Sequence, residues 1–213
     1  MTPQRITVAD TAPQPWRNGG GSTRELLAWP SAAHWRLRLS VADIDTDGPF
    51  SVFDGVQRWF VVLQGAGVAL SIAGRAHAQR LADAPLCFDG AARTDCGLLD
   101  GPTRDLNLML RQAAGGLLPA WPGQPWRPPG PVCGLFTRVP GHCRALASAG
   151  AAPSSMVQPT MALPEMALPA MALLWFNPAP AELAWQADPV LAGTADTPAR
   201  AWWFWASHES TST

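Results

Sequence analysis

Apolar and polar positions alternate with a period of two along much of the first half of the chain. In the run His34-Trp35-Arg36-Leu37-Arg38-Leu39-Ser40-Val41-Ala42, Trp35, Leu37, Leu39 and Val41 fall on one face, as in a strand half-buried against a core. Residues 57–63, 68–73 and 105–110 carry similar patterns. Between these runs stand Asp47-Gly48, Asp54-Gly55, Asp89-Gly90 and Asp100-Gly101, pairs whose chemistry favours tight hairpin turns. No stretch keeps a helical period over three turns. Many short strands at this spacing predict an all-β sandwich or barrel.

The texture changes at Gln112–Pro131, where six prolines and four glycines fall among twenty residues. Proline cannot donate to a central ladder, so this segment reads as a connector or belt and not as a strand. The chain thus divides into a first half (1–111), a connector (112–131) and a less regular β half (132–213). The second half contains a Met-Ala-Leu-Pro repeat across Met161–Leu173, read as an expanded surface loop leading into a strand at 170–176. It ends in the aromatic run Trp202-Trp203-Phe204-Trp205.

Composition narrows the function. A formal charge of −1 supplies no general field for nucleic acid or anionic lipid, and no basic cluster is dense enough to replace one. Met1–Pro15 lacks an apolar core of signal-peptide length, and no segment reaches the roughly 20 apolar residues of a membrane span. Cys87, Cys96, Cys133 and Cys143 match neither a metal knuckle nor a dense disulfide framework. They read as buried free thiols in a reducing, cytoplasmic setting. All 15 basic residues are arginines and there is no tyrosine. A lysine Schiff base, a P-loop lysine and a tyrosine general acid are therefore excluded.

Several constellations invite chemistry. Asp43, Asp45, Asp47, Gly48, Ser51 and Asp54 approach the spacing of a calcium-binding loop, but strand-like flanks and the missing closing Glu favour a strand end plus turn. His34, His77, His142 and His208 lie far apart and form no metal-ligand pair. Gly65-Ala66-Gly67 lacks the third glycine of a dinucleotide fingerprint and reads as a hairpin turn. The segment Trp16-Arg17-Asn18-Gly19-Gly20-Gly21-Ser22-Thr23-Arg24-Glu25 differs in kind. Consecutive glycines can expose backbone N–H groups as an anion cradle, Trp16 supplies a flat wall, and Arg17 or Arg24 can fork onto a carboxylate. The plainer alternative is a glycine-rich turn with Ser22 and Glu25 at capping-box spacing. Arg58 at the mouth of a strand is a second candidate anchor. Asp105 and Asn107, two residues apart, share one face of a strand, with Leu106 and Leu108 on the other.

Four segments occur in an order that resembles the HutD/Ves family. They are Pro15-Trp16-Arg17-Asn18-Gly19-Gly20-Gly21, Ser40-Val41-Ala42-Asp43, Asp47-Gly48-Pro49-Phe50-Ser51-x-Phe53-x-Gly55-x-x-Arg58, and Gly101-Pro102-x-x-Asp105-x-Asn107-x-Met109. The resemblance covers the first half; the second shares only general texture. It implies a double cupin-like (bicupin) fold and an association with histidine utilisation, in which a small anionic pathway intermediate is bound. Urocanate and N-formylglutamate are the ligands it suggests. It also implies that the glycine-rich segment, Arg58 and Asn107 face a pocket in the first half. Arg17 stands where the family commonly has lysine, keeping the charge but changing the donor geometry. The ligand-binding set expected from residues and resemblance together is Trp16, Arg17, Asn18, Gly19, Gly20, Gly21, Thr23, Glu25, Ser40, Arg58, Asp105 and Asn107. No catalytic residue, metal or cofactor is expected, nor a nucleic-acid or membrane partner, and a homodimer stays open. The alternatives are a metal-free isomerase or hydrolase using Glu25, Asp105 or His142 as base, and a stress-related protein–protein adaptor using the Trp-rich C-terminus.

Overall fold

The structure is a computed structural model describing residues 3–146, 165–188 and 199–208. It contains β1 (Gln4–Thr7), β2 (Gln14–Pro15), β3 (Gly21–Trp29), β4 (Leu37–Ile44), β5 (Gly48–Pro49) and β6 (Val56–Gln64). Strands β7 (Val68–Ile72), β8 (Arg75–Gln79), β9 (Leu86–Asp89), β10 (Thr94–Leu98) and β11 (Thr103–Arg111) complete the first half. The chain continues through β12 (Ala113–Pro119), β13 (Pro125–Trp126), β14 (Val132–Thr137) and β15 (Gly141–Leu146). It ends with β16 (Met166–Leu168), β17 (Ala172–Phe176), β18 (Glu182–Ala187) and β19 (Ala201–His208). The described residues form no helix, so none is long and apolar enough to cross a membrane.

The strands build four antiparallel sheets in two pairs. In the first half, β2-β3-β4-β11-β6-β9 faces β5-β10-β7-β8. In the second, β1-β17-β14-β19-β12 faces β13-β18-β15-β16. The orders β4-β11-β6-β9 and β12-β19-β14-β17 are the same eight-strand topology traversed twice, and so are β5-β10-β7-β8 and β13-β18-β15-β16. The fold is therefore a double cupin-like β-sandwich, with each half a barrel-like pair of sheets.

Three cores follow from this layering. Ile44, Phe60, Val62, Val68 and Leu70 fill part of the first barrel, and Cys133, Leu135, Cys143, Leu183, Trp185 and Trp203 fill the second. The third core lies between the barrels, where the two larger sheets pack back to back. There Leu37, Leu39, Val41, Val61, Leu63, Leu106 and Leu108 meet Leu117, Val132, Phe136, Leu173, Trp202 and Phe204. The alternation along β4, β6 and β11 sends one set of side chains into the interface and the other into the first barrel. These strands are buried on both faces, and their inward set is the one that can carry polar chemistry.

Four readings of the sequence need correction. All four Asp-Gly pairs lie where the chain passes from one sheet of the first barrel to the other, not in hairpins, and so does Gly65-Ala66-Gly67. Gly55 (φ 67°), Gly65 (φ 92°) and Gly101 (φ 68°) supply left-handed turns there, but which strand pairs next is decided by apolar faces beyond the turn. The segment read as a connector contains β12, which pairs with β19 at a sheet edge and ends at Pro119, where the missing N–H is tolerated. Gly115 suits that strand because a Cβ there would lie 2.3 Å from the Trp205 carbonyl oxygen. The repeat read as a surface loop contains β16, paired with β15 and with Leu168 buried, while Pro169 falls just past the strand. Its first copy, 161–164, lies outside the described residues. Finally, β1 pairs with β17 and so belongs to the second barrel's sheet although it opens the chain.

Candidate functional site

The inner face of the first barrel's larger sheet is a grid set by strand register. Arg38, Met109 and Arg58 stand side by side on β4, β11 and β6; Ser40, Asn107 and Phe60 form the next row; Ala42, Asp105 and Val62 the third. Above this grid opens a cavity of about 710 Å³, a volume usual for small-molecule sites. The loop before β3 and the segment after β5 close over it with Trp16, Arg17, Asn18, Phe50, Ser51 and Phe53. At the equivalent register in the second barrel, β19 presents Ala201, Trp203 and Trp205, and Trp185 and Leu183 fill the remaining space. The inward face of β19 is thus apolar where that of β11 carries Asp105 and Asn107.

Arg58 is only 5% exposed, and its guanidinium carbon lies 5.1 Å from the Phe50 ring, 5.9 Å from Phe53 and 5.1 Å from Phe88. Its Nη2 donates to Asn107 Oδ1 at 2.9 Å, and its Nε has no protein partner. Asn107 Nδ2 in turn donates to Asp105 Oδ1, while Asp105 Oδ2 is buried without a protein partner. Burial pulls Arg58 down to about 10, with Arg38 adding to the effect and Asp105 opposing it, so the guanidinium still carries its charge at neutral pH. Burial likewise holds the Asp105 carboxyl well above the usual range, against the pull of Arg58. No ion pair joins Arg58 to any described carboxylate. Arg38, which also lines the cavity, is engaged: its Nε lies 2.7 Å from Glu25 Oε2.

The residues expected from sequence divide accordingly. Trp16, Arg17, Asn18, Thr23, Ser40, Arg58, Asp105 and Asn107 line the cavity together. Trp16 is held in place by donation from its Nε1 to Thr23 Oγ1 at 2.7 Å, and Arg17 sits exposed at the rim. Gly19, Gly20 and Gly21 do not line it, and they do not form an anion cradle. The Gly19 N–H donates to the Trp16 carbonyl and the Gly20 N–H to Asn18 Oδ1, so the loop satisfies its own donors. Gly21 pairs with Ile44, and a Cβ there would lie 2.1 Å from the Asp43 carbonyl oxygen. The glycines serve close approach and turning, not recognition. Glu25 meets Arg38 and does not line the cavity. Arg24 points away from the site, to Asp43, which Arg104 also binds, each at 2.5 Å. That pairing occupies the first carboxylate of the calcium-like spacing. His142 lies in the second half, 3.2 Å from Asp188, remote from the cavity. Sequence reasoning missed Arg38, Phe50, Phe53 and Met109 as lining residues. Arg38 was detectable as the polar neighbour of Ser40 in the alternating run.

Comparison with known proteins fits this geometry. The HutD family model matches residues 8–117, just over half of the chain and all of the strands that frame the cavity. This chain belongs to the HutD family. It is 38% identical over 108 residues to an uncharacterized 21.2 kDa protein of the hutC 3′ region of Pseudomonas putida, a match covering 50% of this chain and 57% of that relative. It is 37% identical over 101 residues to the protein Ves of Citrobacter koseri, covering 46% and 52% respectively. The chain thus matches little more than half the length of these curated relatives. Among solved structures, a conserved protein of unknown function from Pseudomonas aeruginosa superposes with a TM-score of 0.76 at 25% identity, covering 97% of this chain and 100% of the other. HutD from Pseudomonas fluorescens gives 0.76 at 22%, covering 97% and 98%. Bacillus subtilis oxalate decarboxylase, at 9% identity and a TM-score of 0.60, covers 96% of this chain and 77% of its own and shares the fold alone.

Proposed function

We propose that this HutD-family protein binds a small carboxylate in the first barrel and thereby modulates the pathway that makes or consumes it. The observation that carries the reading is Arg58: a charged guanidinium, buried among three aromatic rings, facing a cavity and in ion-pair range of no described carboxylate. A buried charge without a counter-charge is costly, and an anionic ligand removes that cost. Charge-assisted hydrogen bonds contribute about 1.5–3 kcal/mol each, so two of them with packing against Trp16, Phe50 and Phe53 support micromolar affinity.

The ligand class we infer is an intermediate of histidine degradation. Urocanate would lay a planar ring against the aromatic wall, and N-formylglutamate would offer a second carboxylate to Arg17 at the rim. The relative from the hutC 3′ region and the family match support this choice. The test is calorimetric titration with urocanate, N-formylglutamate and their amides, with chromatography of each recovered compound. Micromolar binding of the acids, weak binding of the amides and unchanged compounds are the expected result. Conversion of the compound would replace this reading with an enzymatic one, and no binding by either acid would overturn it.

A further inference from the structure

We propose that Asp105 acts in this cavity as a carboxylic acid and decides which ligands fit, its Oδ2–H donating to one carboxylate oxygen while Arg58 holds the charge. The inference rests on the acid-binding reading above.

The hydrogen-bond chain fixes which oxygen of Asp105 a proton would occupy. A guanidinium can only donate, so Asn107 must turn its Oδ1 to Arg58. Its Nδ2 therefore faces Asp105, and donates to Oδ1. That makes Oδ1 an acceptor and leaves Oδ2, the oxygen without a protein partner, as the position for a proton. Asp105 is 1% exposed, and an ionised carboxylate with one hydrogen bond and no ion pair is strongly disfavoured there.

The charged and titratable groups around it do not reverse this balance. Arg58 on β6 favours ionisation and Asp43 on β4 opposes it, while burial is the largest influence. Arg38 on β4 is engaged by Glu25 on β3. From β10, Cys96 contributes a neutral thiol, pushed up to about 12 by burial, Asp105 and Asp47.

A protonated Asp105 gives the site two neighbouring donors for one carboxylate, whereas an ionised Asp105 would set a negative charge against an anionic ligand. Acid binding and protonation of Asp105 therefore favour one another. Affinity should fall by about tenfold per pH unit once Asp105 ionises. A primary amide places an N–H where the site needs an acceptor and is rejected.

The test uses the whole chain with N-formylglutamate, which has no group titrating between about pH 5 and 9. Affinities of wild type, Asp105→Asn and Asp105→Leu are measured across that range. Infrared difference spectra of wild type minus Asp105→Asn follow the carboxylic-acid carbonyl band in ligand-free protein. In Asp105→Asn the new amide oxygen accepts from Asn107, and its NH₂ takes the place of the Oδ2–H. We expect the acid band at neutral pH and wild-type affinity that tracks it. Asp105→Asn should bind within about threefold of protonated wild type with no pH dependence, and Asp105→Leu should lose tenfold or more. Absence of the band at neutral pH, a tenfold loss in Asp105→Asn, or unchanged binding by Asp105→Leu overturns the proposal while the acid-binding reading stands. If the band is present but wild type binds neither urocanate nor N-formylglutamate, it is the acid-binding reading that falls, and the selection role with it.

Discussion

Replacing Arg58 by methionine isolates the charge that the cavity is built around. Alanine is the wrong probe, because it would leave a hole between Phe50, Phe53 and Phe88; methionine keeps an unbranched chain among those rings. The substitution removes one hydrogen bond to Asn107 and leaves that Oδ1 unpaired, at a cost of about 1–3 kcal/mol. It also removes a buried charge with no ion pair, which offsets part of that cost. Global stability should therefore change by less than about 2 kcal/mol in urea denaturation. Binding should respond much more. Arg58 is charged at pH 7, so two charge-assisted bonds from its guanidinium to a ligand carboxylate are worth about 3–6 kcal/mol, or a loss of roughly 10²- to 10⁴-fold in affinity. Calorimetry with N-formylglutamate at neutral pH reads this directly. An Arg58→Met protein that binds within about threefold of wild type would refute the role given to the guanidinium.

Other perturbations separate structural from recognition residues. Asp43→Asn removes the carboxylate between Arg24 and Arg104 and should cost about 1–3 kcal/mol at neutral pH without weakening ligand binding. Although burial pushes Asp43 up, Arg104 and Arg24 hold it below its ordinary value of 3.8, so its contribution is present above that pH and is lost as pH falls through the folded-state value. The stability gap between variant and wild type should close in strong acid, as followed by urea melts at several pH values. Gly21→Ala forces a Cβ to within 2.1 Å of the Asp43 carbonyl oxygen and should destabilise by about 3 kcal/mol or more, whereas Gly19→Ala, at φ 71° in open space, should cost about 1 kcal/mol. The four cysteines were expected to be buried, but Cys87 is exposed. Partial burial raises its thiol, against a hydrogen bond from Gln57, while Cys96, Cys133 and Cys143 are buried with thiols pushed up by that burial. A thiol reagent should therefore titrate one cysteine rapidly in native protein and all four after denaturation.

The parts of this structure that were legible in the sequence are those set by period-two alternation. The sorting of Leu106 and Leu108 from Asp105 and Asn107 appears in the structure as the barrel interface and the cavity floor. Alternation alone could not reveal that both faces of β4, β6 and β11 are buried, because one face is covered only when the second barrel packs behind it. The Asp-Gly pairs were legible as turns, but their partners were not, since backbone geometry at a glycine fixes the turn and not the sheet that follows. Proline and glycine content concealed β12, a strand at a sheet edge where a terminal proline costs no ladder bond. For the site, residue type indicated Arg58 and Trp16. It misjudged Gly19 and Gly20, whose N–H groups are taken by Trp16 and Asn18 at short range, and Arg24, whose partner Asp43 is distant in sequence.

A crystal structure of the wild-type protein grown with N-formylglutamate tests the central claim most directly. The ligand is expected inside the first barrel, with carboxylate oxygens within about 3 Å of the Arg58 guanidinium. A fully occupied ligand elsewhere on the molecule, with Arg58 still facing an unfilled cavity, would contradict the account.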